Sequence, residues 1–478
     1  DVAEEKGMHI DCEMLSEQLK VIVIPIVALK GKGIDKLKAL LGGSDFLKQP
    51  IDNDFHLQDE EQTYKYIESI IAKCVTYSPT GGKSATERID SVVLNKWLAY
   101  PIFLAVLFLI FNFTFNWVGQ PLSDLFDRLL DNQLVPLVEK LLSGSSRWFR
   151  SLIVDGIIGG VGSVIVFLPV ILALFFGISI LEDSGYMARA AFIMDKLMRR
   201  MGLSGKAFIP MVIGFGCSVP GIMSARTLES EKDRKLAALL VPLMSCNARL
   251  PIYVLFASVF FPGKQTYVVF SLYLIGVIMA FILGITFKDT IFRKDEEPFI
   301  MELPQYKFPE PKSVLLHTWE KGKGFLRKAG TIIFSLSVIV WFLSNFNLSG
   351  VTEINKSFLY NIGKFISPVL VPLGFGTWEN AVALLTGLMA KEVVVGTLGV
   401  LYKGNLAAGL HAGFGSSLAA YSFLIFVLLY TPCVSAVATM RKEYGRKMAA
   451  FSVSYQMVLA WVVSFVVYNV GSLIESMI

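Results

Sequence analysis

Gly214-Phe-Gly-Cys-Ser-Val-Pro-Gly221 places three glycines, a proline and a thiol inside an uncharged segment that runs from Ala207 to Ala225. A regular bilayer helix is not built this way. Gly and Pro interrupt the helical ladder, and at membrane depth a freed N–H or C=O is tolerated only against protein or a water-filled cavity. The segment therefore reads as a site before it reads as a span. Pro242-Leu-Met-Ser-Cys-Asn-Ala-Arg-Leu-Pro251 and Tyr430-Thr-Pro-Cys433 share this character. The expectation is that these broken stretches meet near the middle of a membrane and handle an ion.

The rest of the chain suits that setting. Of its 478 residues 54% are hydrophobic and only 17% charged, with 36 Phe, and the mean hydropathy is positive, outside the range of ordinary soluble domains. The net charge of +5 is modest and gathers beside apolar runs, so it speaks of membrane orientation, and no nucleic-acid partner is expected. The five cysteines show no C-x-x-C pair, which argues against a disulfide framework or a structural zinc site. Residues 1–20 are charged and polar without a secretory signal, so the N-terminus is expected in the cytoplasm.

Before the apolar part, Val21–Leu29 reads as a strand, Lys30-Gly-Lys-Gly33 as a turn, and the following Leu37, Leu40 and Leu41 as one face of a helix. This is a small α/β remnant. A further helix is expected over Asp59–Val75, with Cys74 as a packing residue. Gly81-Gly-Lys-Ser84 imitates the end of a phosphate loop, but Tyr77 stands where the earlier glycine is required. No nucleotide hydrolysis is expected of this chain alone.

Uncharged runs long enough to span, against a need of about 20 apolar residues, occur at Pro101–Val118, Ile157–Leu181, Gln265–Phe287, Ala329–Asn347, Ala412–Met440 and Met448–Ile474. Leu236–Phe261 joins them if Arg249 is tolerated. Basic clusters at Lys196–Lys206 and Arg226–Lys235 both belong inside by the positive-inside rule. Ala207–Ala225 between them must then enter and leave on one side. The clusters at Lys288–Lys328 and Arg441–Lys447 impose the same on Trp378–Tyr402, from the opposite side.

The fold expected is an all-α polytopic membrane protein built as an inverted repeat with two re-entrant or broken-helix hairpins. Each repeat has a span, an interfacial helix (Ser184–Met201; Ile354–Val369), a re-entrant segment and a broken span. The competing layout is nine full spans. Expected divisions are 1–42 for the α/β remnant, 43–90 for a helical spacer, and 91–150 for a first transmembrane helix with an amphipathic linker. They continue with 151–290 for the first repeat, 291–328 for a cytoplasmic linker, 329–442 for the second repeat and 443–478 for the final span. Discontinuous helices of this kind hold transporter substrates near the midplane.

Cys217 with Ser218, Cys246 with Asn247, and Cys433 offer thiol, hydroxyl, amide and carbonyl donors. That set suits a borderline or soft divalent ion better than magnesium or calcium. Glu392 is an intramembrane carboxylate able to attract a cation, Lys391 beside it points elsewhere on a helix, and Arg249 is expected to find a carboxylate. Met211, Met223 and Met244 read as gap-filling side chains.

Glu182-Asp-Ser-Gly-Tyr-Met-Ala-Arg189, Gly216-Cys-Ser-Val-Pro-Gly221, Ser245-Cys-Asn-Ala-Arg-Leu-Pro251, Met389-Ala-Lys-Glu392 and Thr431-Pro-Cys433 together closely resemble the bacterial ferrous iron transport protein B (FeoB) family. The resemblance covers nearly the whole chain. It implies uptake of ferrous iron (Fe2+) across the bacterial inner membrane by a multi-pass protein with two Gate regions. It also implies a cytoplasmic GTPase domain using GTP and Mg2+, and a small cytoplasmic partner, FeoA; a homo-oligomer in the lipid bilayer is an open possibility. The start of the chain resembles the end of that GTPase domain, with Asp1 closing a guanine-recognition motif and Ala28, Leu29 and Lys30 in the guanine loop. Most of the GTPase domain has no counterpart here, and the spacer is shorter than the family's. Competing readings are an organic-solute, nucleoside-like transporter of inverted-repeat type and a membrane receptor without flux.

Overall fold

The computed structural model describes residues 3, 7–19, 21–27, 31–42, 60–77, 85–292, 303–402 and 406–477. Asp1, Ala28, Leu29, Lys30 and the Gly81–Ser84 stretch lie outside these residues. The chain divides into two compact units, Asp1–Arg88 and Ile89–Ile478.

In the first unit β1 (Met8–Ile10) leads to α1 (Cys12–Leu19), α2 (Ile34–Gly42), α3 (Glu60–Cys74) and β2 (Val75–Tyr77). β1 and β2 pair antiparallel, Met8 opposite Tyr77, and the Asp11 N–H donates to the Cys74 carbonyl at 2.9 Å. Cys74 is buried, as a packing residue should be. The strand read at Val21–Leu29 is corrected. Its described part, 21–27, makes only an isolated bridge from Val27 to Lys32, because β-branched residues become a strand only beside a partner ladder. The glycine turn is present, with Gly31 and Gly33 at φ 66° and 82°.

The second unit begins within α4 (Ala85–Val93) and continues with α5 (Ala99–Asn112), α6 (Gly119–Leu129), α7 (Val135–Leu141), α8 (Arg147–Ser151), α9 (Gly159–Asp183) and α10 (Tyr186–Arg200). The first span, read at Pro101–Val118, is α5 followed by a wide π-helical turn over Phe113–Trp117. Gly185, at φ 80°, turns α9 into α10, and the two helices meet at 85°. The positive φ lets the chain turn sharply without a Cβ penalty. At this corner buried Arg189 pairs with both carboxylate oxygens of Asp90 at 3.0 Å and donates to the Gly185 carbonyl at 3.2 Å. Its guanidinium also lies 4.2 Å from the centre of the Tyr306 ring. Burial first, then the Asp90 carboxylate, push the Tyr306 phenol up to about 12.

Next come α11 (Phe208–Gly216) and α12 (Ser218–Ala225), which fold back on each other. A Cβ at Gly221 would stand 3.0 Å from the Pro210 carbonyl and 3.2 Å from Gly214 Cα, so only glycines allow this approach. α13 (Glu231–Leu240) and α14 (Leu250–Phe260) form one broken span, and α15 (Gln265–Thr290) an unbroken one.

The same order then recurs. α16 (Pro311–Asn345) is followed, past a two-residue β3 (Phe346–Asn347) and β4 (Gly350–Val351), by α17 (Phe358–Leu370). α18 (Trp378–Met389) and α19 (Val393–Leu401) form the second hairpin, with Thr386 and Thr397 hydroxyls 3.0 Å apart. α20 (Leu406–Phe414), α21 (Ser417–Leu429), α22 (Val434–Tyr444) and α23 (Arg446–Met477) complete the chain. The span read from Ala412 begins instead at Ser417. Gly415 takes φ 67° and the Ser416 hydroxyl accepts from the Ala419 N–H, which stops one helix and caps the next.

Among the described residues four helical stretches are long and apolar enough to cross a membrane. The two broken ones, Glu231–Phe260 and Ser417–Tyr444, have 67% and 78% of their apolar window buried, against 28% for α15 and 11% for α23. The interrupted helices therefore occupy the centre, where protein can satisfy their freed backbone. The unbroken helices present Phe270, Leu274, Ile282, Val458, Val466 and Leu473 outward, as helices of a multi-pass membrane protein do.

Candidate functional site

Each helix break leaves backbone groups without intrahelical partners, and the site is built where four breaks meet. Cys217, in extended backbone at φ −156°, ψ 132°, separates α11 from α12. Ala390, at φ −147°, ψ 127°, plays the same part at the end of α18. Met244–Cys246 interrupts the first broken span and Tyr430–Cys433 the second.

These breaks line one small cavity of about 60 Å³, whose walls include Cys217, Ser218, Cys246, Lys391, Glu392 and Cys433. Three cysteines from separate parts of the chain thus share one chamber. All five cysteines of the chain are free thiols. Among the described residues no three His, Cys, Asp or Glu groups stand close enough to hold one ion together. Cys217 and Cys433 occupy the N-cap positions of α12 and α22, where a helix dipole favours negative charge.

Two buried cations hold the breaks in place. Arg249, 1% exposed, donates to the Pro242 carbonyl at 3.3 Å and the Met244 carbonyl at 3.1 Å. Lys391, 2% exposed, donates to the Thr431 carbonyl at 2.8 Å and lies 3.1 Å from the centre of the Tyr430 ring. The carboxylate expected for Arg249 is thereby replaced by carbonyls. Freed carbonyls need donors at this depth, and a guanidinium supplies several at once. Lys391 and Glu392 do diverge: Lys391 reaches the second broken span, and Glu392 takes part in none of the ion pairs among the described residues.

Asn247 is displaced from the small chamber. It lines a neighbouring cavity of about 690 Å³ together with Glu392 and Ala248. Ser435, on the first turn of α22, lines the small chamber, and its buried hydroxyl has no hydrogen-bond partner among the described residues. The sequence reading passed over Ser435; its place two residues after Pro432-Cys433 is the available signal. Met211 and Met244 pack in the core, whereas Met223 lines a third cavity of about 180 Å³ with Glu182, Met187 and Lys321.

Comparison with known proteins adds an independent line. The model of the Gate family, described as nucleoside recognition, matches residues 164–260 and 326–447. A model described as the ferrous iron transport protein B C terminus matches 269–321. The Fe(2+) transporter FeoB of Staphylococcus aureus strain COL is 47% identical over 414 residues, covering 85% of this chain and 62% of the relative. An Fe(2+) transport protein A/Fe(2+) transporter FeoB fusion protein of Porphyromonas gingivalis is 39% identical over 91% of this chain and 58% of the relative. The Fe(2+) transporter FeoB of Salmonella typhimurium is 33% identical over 99% of this chain and 77% of the relative. The chain thus spans about 62% of the length of the first of these relatives. No solved structure matches it.

Proposed function

The chain belongs to the FeoB family, and from that premise we propose that its membrane part carries ferrous iron across the bilayer through the chamber of Cys217, Cys246 and Cys433. One observation carries the reading: these cysteines, each at a helix break, line a single cavity enclosed by protein. Thiolates select borderline and soft divalent ions. Ser218 and Glu392 supply harder donors in the same chamber, and Asn247 another in the adjoining cavity. Metal binding that displaces the three thiol protons would leave Arg249, Lys391 and the divalent ion to balance three thiolates and the Glu392 carboxylate. A bound ion would therefore complete a neutral cluster, which lowers the cost of holding charge at membrane depth.

Size separates this reading from an organic-solute transporter. Pockets for such ligands run to about 300–1,000 Å³; the adjoining cavity of about 690 Å³ reaches that size, but the cysteine chamber beyond it holds about 60 Å³, room for an ion with one or two waters.

The proposal extends to setting. Residues 151–290 and 329–442 form the two Gate repeats, in the bacterial inner membrane with the N-terminus cytoplasmic, as the basic clusters prefer. FeoA is a fitting partner, because the Porphyromonas gingivalis relative carries transport protein A in the same polypeptide. Residues 1–42 fit the closing part of a GTPase domain, through which GTP and Mg2+ would act.

Uptake into proteoliposomes tests the reading. The chain should pass iron(II) well above manganese, zinc and cobalt under equal gradients. Vesicles that accumulate none of these ions, as a receptor would leave them, contradict it.

A further inference from the structure

The cavity of about 690 Å³ beside the cysteine chamber has walls from α6, the π-helical turn Leu130–Leu134 that follows it, α9 and the break before α14. Near its mouth are the exposed residues Gln120, Asp127 and Asp131. Its floor is Asn247, Ala248 and Glu392, and Ala248 and Glu392 are also walls of the cysteine chamber. Cys246 and Asn247, adjacent in the chain, therefore stand on the two sides of a thin partition.

Glu392 is the second observation that gives the acidic mouth meaning. It is half-buried and lines both cavities. Among the described residues no ion pair engages its carboxylate, although a carboxylate partly removed from water ordinarily demands a partner. Asp127 and Asp131 are also outside every ion pair among the described residues. Asp124, by contrast, accepts from Gln120 Nε2 at 2.8 Å and is not part of the wall. Arg128, the cation adjacent to Asp127, does not line the cavity either.

We propose that this cavity is the access vestibule of the transport route, with Asp127 and Asp131 capturing a hydrated divalent cation and Glu392 receiving it at the partition before the cysteines do. The inference rests on the transport reading above and deepens it. Carboxylates and water suit a cation that still keeps its hydration shell, while thiols suit one that has lost it. The order of donors along the route is therefore the order of dehydration. A cavity lined by one sign of charge between low-dielectric walls concentrates counter-ions. With the N-terminus cytoplasmic as proposed above, α6 follows the first span, which puts the vestibule toward the external face.

The test is iron(II) uptake by proteoliposomes as a function of iron concentration and ionic strength. It compares the wild type with Asp127→Asn/Asp131→Asn and with Glu392→Gln. The double variant changes two exposed, unpaired side chains isosterically, so folding should be retained. Its apparent KM should rise about tenfold at low salt with kcat within about twofold, and the gap should close as the screening length falls to about 8 Å at physiological ionic strength. Glu392→Gln should lower kcat at every salt concentration. Wild-type flux together with an unchanged KM in the double variant overturns the vestibule and leaves the transport reading standing. A wild type that moves no metal overturns both.

Discussion

Replacing Cys217, Cys246 and Cys433 together by serine should cut ferrous-iron uptake by more than about a hundredfold, with the protein still folded. Loss of groups that merely orient metal ligands costs about 10–100-fold, so loss of the ligands themselves should exceed that. Serine keeps the size and leaves the carbonyl contacts of Arg249 and Lys391 in place. What it removes is the polarisable sulfur that favours iron(II) over magnesium. Single replacements should do less than the triple one, because three sulfurs from three breaks share the chamber. Uptake at the wild-type rate by the triple variant would remove the cysteines from the route.

Gly221→Val should unfold the first hairpin's packing and lower stability by about 1–3 kcal/mol, the usual cost of overfilling a packed core. The added Cβ would meet Val241 Cγ1 at 2.7 Å, the Pro210 carbonyl at 3.0 Å and Gly214 Cα at 3.2 Å. Two of these three neighbours are backbone and cannot swing aside. Because the hairpin presents Cys217 to the chamber, uptake should fall with stability. A thermal midpoint equal to that of the wild type, measured in the same detergent, would show that the two helices are less tightly joined than their geometry requires.

The hairpins were legible in the sequence because their physics is local. Gly214–Gly221 breaks its own helix, and the basic clusters on either side argue that both ends lie on one side of a membrane. The repeated order of span, interfacial helix, hairpin and broken span follows from the same reasoning.

Other features depend on neighbours distant in the chain. β1 and β2 are three residues each and pair across 67 positions, beyond the reach of periodicity. Lys391 could be seen as an intramembrane charge, but its acceptor, the Thr431 carbonyl, lies 40 residues away. Arg249 found carbonyls within seven residues, a solution created by the break at Met244–Cys246 itself. The vestibule was hidden for another reason. α6 reads as an ordinary amphipathic helix, and only its packing beside α9, where the Ser123 hydroxyl donates to the Val166 carbonyl at 2.6 Å, puts Asp127 and Asp131 in the wall of a cavity that Glu392 also lines.

The most direct test of the central claim is X-ray absorption at the iron edge of protein loaded anaerobically with one equivalent of iron(II), for the wild type and the triple serine variant. The account predicts sulfur neighbours around iron in the wild type and a shell of oxygen and nitrogen alone in the variant. An all-oxygen and nitrogen shell in the wild type, with iron bound at full occupancy, would contradict it.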